Sequence, residues 1–222
     1  MEEQIPAWYD PRFWVSVVAA VGTLTAVIVA LFMRELRAKF RPPKLVVELS
    51  RENGLAVTAH LFPPGQAIPV EYKPEKSRYY HLKVSNPRRK ADAVQNVTVT
   101  LLGVERKQTD GQYHPMWTGD IPMAWRNDMT GVEKKVVGTW AESDLCSVVR
   151  DKFLDLHVKV MPNHLKWRYE VGEDTPVDII VTVQARGNEV DSEVSRWRIF
   201  WDGQWEDGDV EMRRHLHVTS QD

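Results

Sequence analysis

The chain is poor in cysteine, with a single Cys146 among its 222 residues. One cysteine cannot form the disulfide framework typical of small secreted domains, and it fits a reducing compartment. The sequence also lacks an excess of charge of either sign, because 29 Lys and Arg stand against 31 Asp and Glu, for a formal net charge of -2. Bulk electrostatics therefore gives no support for a nucleic-acid partner.

The standard signatures of catalytic and nucleotide-binding sites are missing as well. The chain contains no G-x-x-x-x-G-K-[ST], no G-x-G-x-x-G, no H-E-x-x-H, no G-x-S-x-G and no protein-kinase set. It also has no internal repeat and no low-complexity tract. We therefore expect a protein that is not an enzyme more than we expect an enzyme, and we predict no cofactor.

What the sequence does contain is an uncharged run from Phe13 to Met33. As an α-helix at about 1.5 Å per residue, the run would extend about 31 Å, which is enough to cross a hydrocarbon core of roughly 30 Å. A cleavable signal peptide would begin with a basic region, whereas Glu2, Glu3 and Asp10 make this N-terminus acidic. The run therefore predicts a retained transmembrane helix.

Basic residues are distributed unequally around this predicted span. Only Arg12 precedes it, and a basic cluster follows it directly, formed by Arg34, Arg37, Lys39, Arg41 and Lys44. By the positive-inside rule, the N-terminus lies outside the cell (inner) membrane and the C-terminal part lies in the cytoplasm. The predicted organisation is a short extracytoplasmic N-terminus (1–12), the span (13–33), a basic juxtamembrane helix with a Pro-Pro junction (34–43) and a cytoplasmic domain (44–222).

Two features of the span region suggest partners. Small residues recur along one helical face, which would let two backbones approach closely and self-associate, namely Ala19, Gly22, Ala26 and Ala30. The alternative is that alanine and glycine are simply common in spans. The basic residues Arg34, Arg37, Lys39 and Arg41 either contact anionic lipid headgroups or only set the topology.

Beyond residue 44 the dominant period is two, as in β-strands. Apolar and polar residues alternate in eight short runs separated by turn signals, over 45–50, 55–61, 80–85, 97–101, 154–160, 165–171, 177–184 and 196–201. One-sided burial in many short strands predicts an all-β domain built as an antiparallel β-sandwich. We also expect a short helix over residues 142–149, with Ser143 as its cap.

The segment "YYHLKVSNPRRKADAVQNVTVTLLG", residues 79–103, has a strand, an asparagine turn and a second strand. It resembles a phrase common in immunoglobulin-like and fibronectin-like sandwiches. The resemblance implies that fold class for the domain, and it implies no function, because one fold hosts many functions.

The segment from His114 to Asp128 is the main candidate for binding. It has no clear alternation, it reads as a long loop, and loops carry function more often than strands do. Trp, Met and Arg are also enriched at interfaces. The predicted binding residues are Met116, Trp117, Asp120, Met123, Trp125 and Arg126. The alternative is a loop that caps one end of the sandwich with buried tryptophans.

Three weaker candidates concern metals and nucleophiles. Hard oxygen ligands for Ca²⁺ gather in the stretch 201–217, at Asp202, Asp207, Asp209 and Glu211, although the spacing is not that of an EF-hand and acidic turns explain it as well. His215 and His217 would suit Zn²⁺ with His157 or Cys146, but exposed strand histidines are the simpler interpretation. Cys146 is either a nucleophile or, more simply, a buried thiol. We therefore predict no metal.

Three classes of function follow, in order of preference. The first is a membrane-anchored module whose cytoplasmic sandwich binds a protein partner at the inner membrane face. The second is a ligand-gated oligomeric membrane effector, in which the sandwich senses a small cytosolic signal and rearranges associated spans. The third is an enzyme of unknown class.

Overall fold

The computed structural model of the protein describes residues 11–40, 42–59, 74–88, 93–127 and 133–221. The chain divides into two units, one containing the N-terminal helix and the other containing the strands. Asp10 of the acidic N-terminus and Arg41, a predicted headgroup contact, lie outside the described residues, as do residues 60–61 at the end of one predicted strand.

The first unit contains one long helix, α1, from Pro11 to Phe40. Its segment Pro11–Ala30 is long and apolar enough to cross a membrane, a test that a secretion signal near the N-terminus also passes. The hydroxyls of Ser16, Thr23 and Thr25 each donate to the carbonyl four residues earlier, at 2.8–3.0 Å. These bonds satisfy the polar groups of the apolar segment within the helix itself.

The second unit is built from short strands and one helical turn. The strands are β1 (Val46–Leu49), β2 (Leu55–Ala59), β3 (Glu75–Ser85), β4 (Val94–Lys107), β5 (Tyr113–Pro122), β6 (Lys135–Val137), β7 (Trp140–Val149), β8 (Phe153–Leu156), β9 (Arg168–Glu170), β10 (Val177–Arg186), β11 (Ser195–Trp201) and β12 (Leu216–Ser220), with the turn α2 (Asp209–Met212).

The strands form two antiparallel sheets. The first has the order β1-β3-β7-β8-β9, with β2 also beside β3, and the second has the order β12-β11-β10-β4-β5, with β6 also beside β4. The period of two explains this arrangement, since the inward residues of both sheets form one hydrophobic cluster that includes Tyr80, Leu154, Ile179 and Trp201. The predicted two-sheet antiparallel domain is therefore confirmed.

Two segments differ from their predicted structure. The helix expected over 142–149 is wrong, because these residues belong to β7. A register shift between β3 and β7 at Tyr80/His81 interrupts the alternation, and five consecutive residues of β7, 145–149, are buried. Such a run does not show the period of two, so a strand that contains a β-bulge is difficult to recognise from its sequence.

The loop expected over 114–128 is also wrong for most of its length, because residues 113–122 form β5. This strand pairs with β4 through two register shifts, at Leu101/Gly103 and Val104/Glu105, which again remove the alternation.

Two other predicted strands are shorter than expected. The run at 154–160 contributes only the end of β8, and the run at 165–171 contributes only β9.

Candidate functional site

The residues predicted to bind a partner divide between the core and the surface. Trp125 is 1% exposed, its indole Nε1 donates to the Glu133 carbonyl at 3.0 Å, and the Lys135 ammonium lies 5.3 Å from the ring centroid. Met123 is buried in the same core. The side chains of Met123 and Trp125 are therefore placed as core residues, not as contacts on a surface.

The other four predicted residues reach solvent to different extents. Met116 is 37% exposed, and Trp117 is half-buried against the core. Asp120 pairs with Arg186 at 3.0 Å, and Arg126 pairs with Glu142. The remaining binding candidates are therefore Met116 and Trp117 on β5, with Asp120 beside them, and Arg126 apart.

Three of the four calcium candidates already have side-chain partners, and Glu211 is the fourth. Asp202 pairs with His215 at 2.7 Å, Asp207 pairs with Lys76, and Asp209 pairs with Arg78 at 2.7 Å. No group of three or more His, Cys, Asp or Glu side chains that could hold a metal ion occurs among the described residues. The described residues therefore contain no assembled set of ligands for Ca²⁺.

Cys146 is buried, and burial raises the pKa of its thiol, which keeps the group neutral. A neutral, buried thiol is a poor nucleophile, so the packing role is the one the structure supports. His215 and His217 lie at the start of β12 in the second sheet, whereas His157 follows β8 in the first. The structure does not bring the proposed zinc ligands together.

A polar patch that the sequence did not indicate lies on the outer face of the first sheet. One row of cross-strand partners runs from Tyr79 on β3 through Ser147 and Asp155 to Arg168 on β9. Both oxygens of Asp155 accept from the Arg168 guanidinium at 2.8 Å. His157 Nε2 lies 2.9 Å from the Ser147 hydroxyl. The row places several titratable side chains side by side.

The Tyr79 ring stacks between two imidazoles, with centroids 6.2 Å from His81 and 5.6 Å from His157. Burial raises the pKa of Tyr79, and burial lowers the pKa of His157, so both side chains are neutral near pH 7. A neutral histidine beside a serine hydroxyl is the arrangement of a nucleophile and its base. Ser147 is only 3% exposed, however, so the pair is closed to a substrate and serves packing of the sheet face.

A second region lies at the side of the domain, between an edge of each sheet. We call it the edge groove. Its volume is about 480 Å³, and it is lined by residues from β1, β11 and β12 and from the turns beside them, namely Leu49, Glu52, Trp197, Arg213, His217, Val218, Thr219 and Ser220. Trp197 is 6% exposed, and its indole Nε1 has no hydrogen-bond partner within the described structure. The lining of the edge groove therefore includes a residue whose buried donor is unpaired in the described structure.

The register of β12 determines which backbone groups face the edge groove. The Asp202 N–H donates to the His215 carbonyl at 3.1 Å, and the Gln221 N–H donates to the Arg196 carbonyl at 2.9 Å. Antiparallel pairs alternate between hydrogen-bonded and non-hydrogen-bonded, so Val218 falls in a non-hydrogen-bonded pair. Its N–H and C=O therefore point away from β11, toward the open side of the sheet.

The opposite wall of the edge groove has the same property. The Ser50 N–H donates to the His81 carbonyl at 2.9 Å, which makes this pair hydrogen-bonded and places Leu49 in the next, non-hydrogen-bonded pair. The backbone of Leu49 thus also points outward from β1. The edge groove has apolar side chains at its base and main-chain donors and acceptors along both walls.

Sequence patterns could identify parts of this region but not the groove itself. Trp197 fits the alternation of a predicted strand, which assigns it to the core and gives no hint of its unpaired indole.

Comparison of the chain with protein-family models found no match, and a comparison with curated protein sequences found no match either.

Proposed function

We propose that the protein is a single-pass membrane protein whose immunoglobulin-like or fibronectin-like domain lies in the cytoplasm and binds an extended segment of a partner protein in the edge groove. The membrane part of the proposal is supported by α1, whose segment Pro11–Ala30 is long and apolar enough to cross a membrane. The topology is supported by the basic residues that follow this segment, including Arg34, Arg37 and Lys39 in the last turns of α1.

One observation carries the binding part. The same wall of the edge groove contains Trp197, whose Nε1 has no partner in the described structure, and Val218, whose backbone groups point away from β11. Peptides commonly bind by adding a strand to an exposed sheet edge, where main-chain hydrogen bonds give affinity and side-chain pockets give specificity. A strand beside β12 would meet the N–H and C=O of Val218. One of its carbonyl groups would accept from Trp197, and an apolar side chain would pack on Leu49.

The experiment uses the full chain in lipid nanodiscs, with a display library of short peptides to select ligands. Trp197→Phe removes the indole donor and keeps most of the ring. We expect a loss of affinity of roughly 2- to 12-fold, which corresponds to a net hydrogen bond of about 0.5–1.5 kcal/mol.

A matched pair of proline variants separates the edge from the fold. Val218→Pro removes an N–H that faces the groove and leaves the β11 ladder intact, so the protein should fold and lose peptide binding. Thr219→Pro removes an N–H that the ladder to Arg198 uses, so it should destabilise the sheet. If the selected peptides bind Val218→Pro and Trp197→Phe as tightly as they bind the original protein, the edge groove is not the binding site.

The topology is tested separately by protease protection of a C-terminal tag. In intact cells the tag should be protected until the inner membrane is opened. Digestion of the tag from outside would place the domain on the other side of the membrane and would overturn the cytoplasmic assignment.

A further inference from the structure

Arg78 on β3 is a buried cation whose hydrogen-bonding capacity is only partly used. Its side chain is 1% exposed, and alternation along β3 puts it on the same face as the core residue Tyr80. Guanidinium Nη1 donates to the Asn53 carbonyl at 2.6 Å and to Asp209 Oδ1 at 2.7 Å. Within the described residues, neither Nε nor Nη2 has an acceptor.

Two unpaired N–H groups on a buried guanidinium are costly. Arginine stays charged at all physiological pH values, and an unsatisfied buried donor lowers stability, more so when the group is charged. Nε and the neighbouring Nη together form one side of the guanidinium fork, which matches two oxygens of a carboxylate or a phosphate. The free side of Arg78 is thus shaped for an oxyanion.

A pocket of about 290 Å³ lies at this position, which we call the Arg78 pocket. It is lined by residues of β2 and β3 and of the turn that precedes α2, namely Ala56, Val57, Thr58, Lys76, Ser77, Arg78, Trp205 and Asp207. The Ser77 hydroxyl is also buried without a partner in the described structure, but alternation along β3 puts it on the face opposite to Arg78, so the unpaired pocket groups are Nε and Nη2 of Arg78. The pocket therefore combines a cavity with polar groups that lack partners.

The charges around the Arg78 pocket balance one another, and one of the cations can turn toward an anion. Asp209 neutralises Arg78 from the Nη1 side, and Asp207 pairs with Lys76, so two carboxylates face two cations. The Lys76 and Asp207 side chains are both at least half exposed, which lets Lys76 turn from Asp207 toward an incoming anion. Hydrogen bonds from Lys76 and Trp205 lower the pKa of Asp207, so this carboxylate stays ionised and repels an anion that lacks the Lys76 contact.

We propose that the Arg78 pocket binds the carboxylate or phosphate group of a small molecule, with Nε and Nη2 of Arg78 as a bidentate donor and Lys76 as the cation at the mouth. Trp205, half-buried beside the pocket, offers an aromatic surface to the rest of the ligand. This site is separate from the edge groove, and it gives the domain a second, small-molecule input.

The test is a titration of the full chain in detergent micelles with inorganic phosphate and, separately, with acetate, at constant ionic strength maintained with chloride. The readouts are the thermal midpoint and the side-chain Nε–H signal of Arg78 in an NMR spectrum. We expect a saturable rise in midpoint and a shift of the Arg78 signal with at least one of the two anions. A response to phosphate alone identifies a phosphate ligand, and a response to acetate alone identifies a carboxylate ligand.

Variants then tie the response to the pocket. Arg78→Lys keeps the charge and loses the fork, so the apparent affinity should fall about tenfold or more. Lys76→Gln changes an exposed side chain, folds without difficulty, and should weaken binding even if Arg78→Lys does not fold. Arg168→Lys, a matched change at a guanidinium already paired with Asp155, should leave the response unchanged.

Three outcomes overturn the proposal. The first is that neither anion moves the Arg78 signal of the original protein. The second is that Arg78→Lys and Lys76→Gln respond as the original protein does. The third is that chloride produces the same response as phosphate and acetate, which would make it general screening of surface charge. None of these outcomes affects peptide binding at the edge groove, so the two proposals fail independently.

Discussion

Replacement of Trp125 by alanine tests whether this tryptophan is a core residue or a binding residue. The indole is 1% exposed, so the change removes nearly all of its packing. Truncation of a buried Trp costs about 3–5 kcal/mol, and this figure includes the cavity that remains. The hydrogen bond to the Glu133 carbonyl contributes about 1 kcal/mol of this cost. We therefore expect a loss of about 3–5 kcal/mol in the free energy of unfolding.

That loss converts into a measurable change in thermal midpoint. For a domain of this size, 1 kcal/mol shifts the midpoint by about 2–4 °C, so Trp125→Ala should lower it by about 6–20 °C. Circular dichroism of the full chain in detergent follows the loss of β structure. Trp125→Phe keeps most of the volume and should lose about 1–2 kcal/mol. Met116→Ala, at a site 37% exposed, is the surface control and should change stability by less than about 0.5 kcal/mol.

One result would refute this reasoning. If Trp125→Ala kept the midpoint of the original protein and abolished partner binding, Trp125 would be an exposed interface anchor. The end of the segment 114–128 would then be a binding surface, as predicted from the sequence.

Three further predictions concern other parts of the molecule. Burial would raise the pKa of Asp178, and hydrogen bonds from Arg198 and Tyr113 lower it. Arg198→Met removes the two bonds from Arg198 and leaves the Tyr113 hydroxyl at 2.7 Å and the Lys107 ammonium at 3.7 Å, so it should cost about 1.5–3 kcal/mol, which urea unfolding measures. Burial lowers the pKa of His157, so the stability that the neutral imidazole contributes is present above about pH 6.5 and is lost as the pH falls through the folded-state pKa. In unfolding curves measured over a pH series, His157→Gln should therefore reduce the dependence of stability on pH below about 6.5. Gly22→Leu should weaken association of the span in a membrane two-hybrid assay, and unchanged association would mean that the small residues reflect composition alone.

The sequence predicted the two-sheet domain well where each strand has one buried face. The run at 177–184 became β10 and the run at 196–201 became β11. Burial alternates along all of β11 and along β10 from Val181 onward, whereas residues 177–181 of β10 are all buried. The period of two is a direct consequence of strand geometry, so it can be seen in a sequence without knowledge of strand partners. The uncharged run at 13–33 similarly predicted α1.

Irregular pairing explains two of the strands that the sequence missed, β5 and β7. β5 and β7 both contain register shifts against their neighbours, and a shift moves the side chains of a strand to opposite faces at that point. No single-sequence pattern shows such a shift, because it depends on the partner strand. The segment 114–128 therefore looked like a loop rich in Trp and Met.

The candidate sites could not be predicted for a related reason. Trp197 and Arg78 are recognised by what they lack, a hydrogen-bond partner for Nε1 in one and for Nε and Nη2 in the other. A missing partner is a property of the tertiary structure, because the atoms that could pair with these groups come from distant parts of the chain. The sequence indicates only that Trp197 is on a core face and that Arg78 is a basic residue just before a predicted strand.

The composition of β12 adds a physical reason to regard its open edge as functional. To prevent unwanted strand pairing, soluble proteins place lysine, other charged residues or proline on their edge strands. The strand β9, at the far edge of the first sheet, follows this rule, since two of its three residues are Arg168 and Glu170. β12 has the sequence LHVTS and carries neither lysine nor proline. An edge that is left unprotected next to an unpaired Trp197 donor is exposed to strand addition at all times, so a bound partner strand would also protect the protein from aggregation. A chain that loses its partner should therefore self-associate through β12, and Val218→Pro should suppress this self-association together with peptide binding.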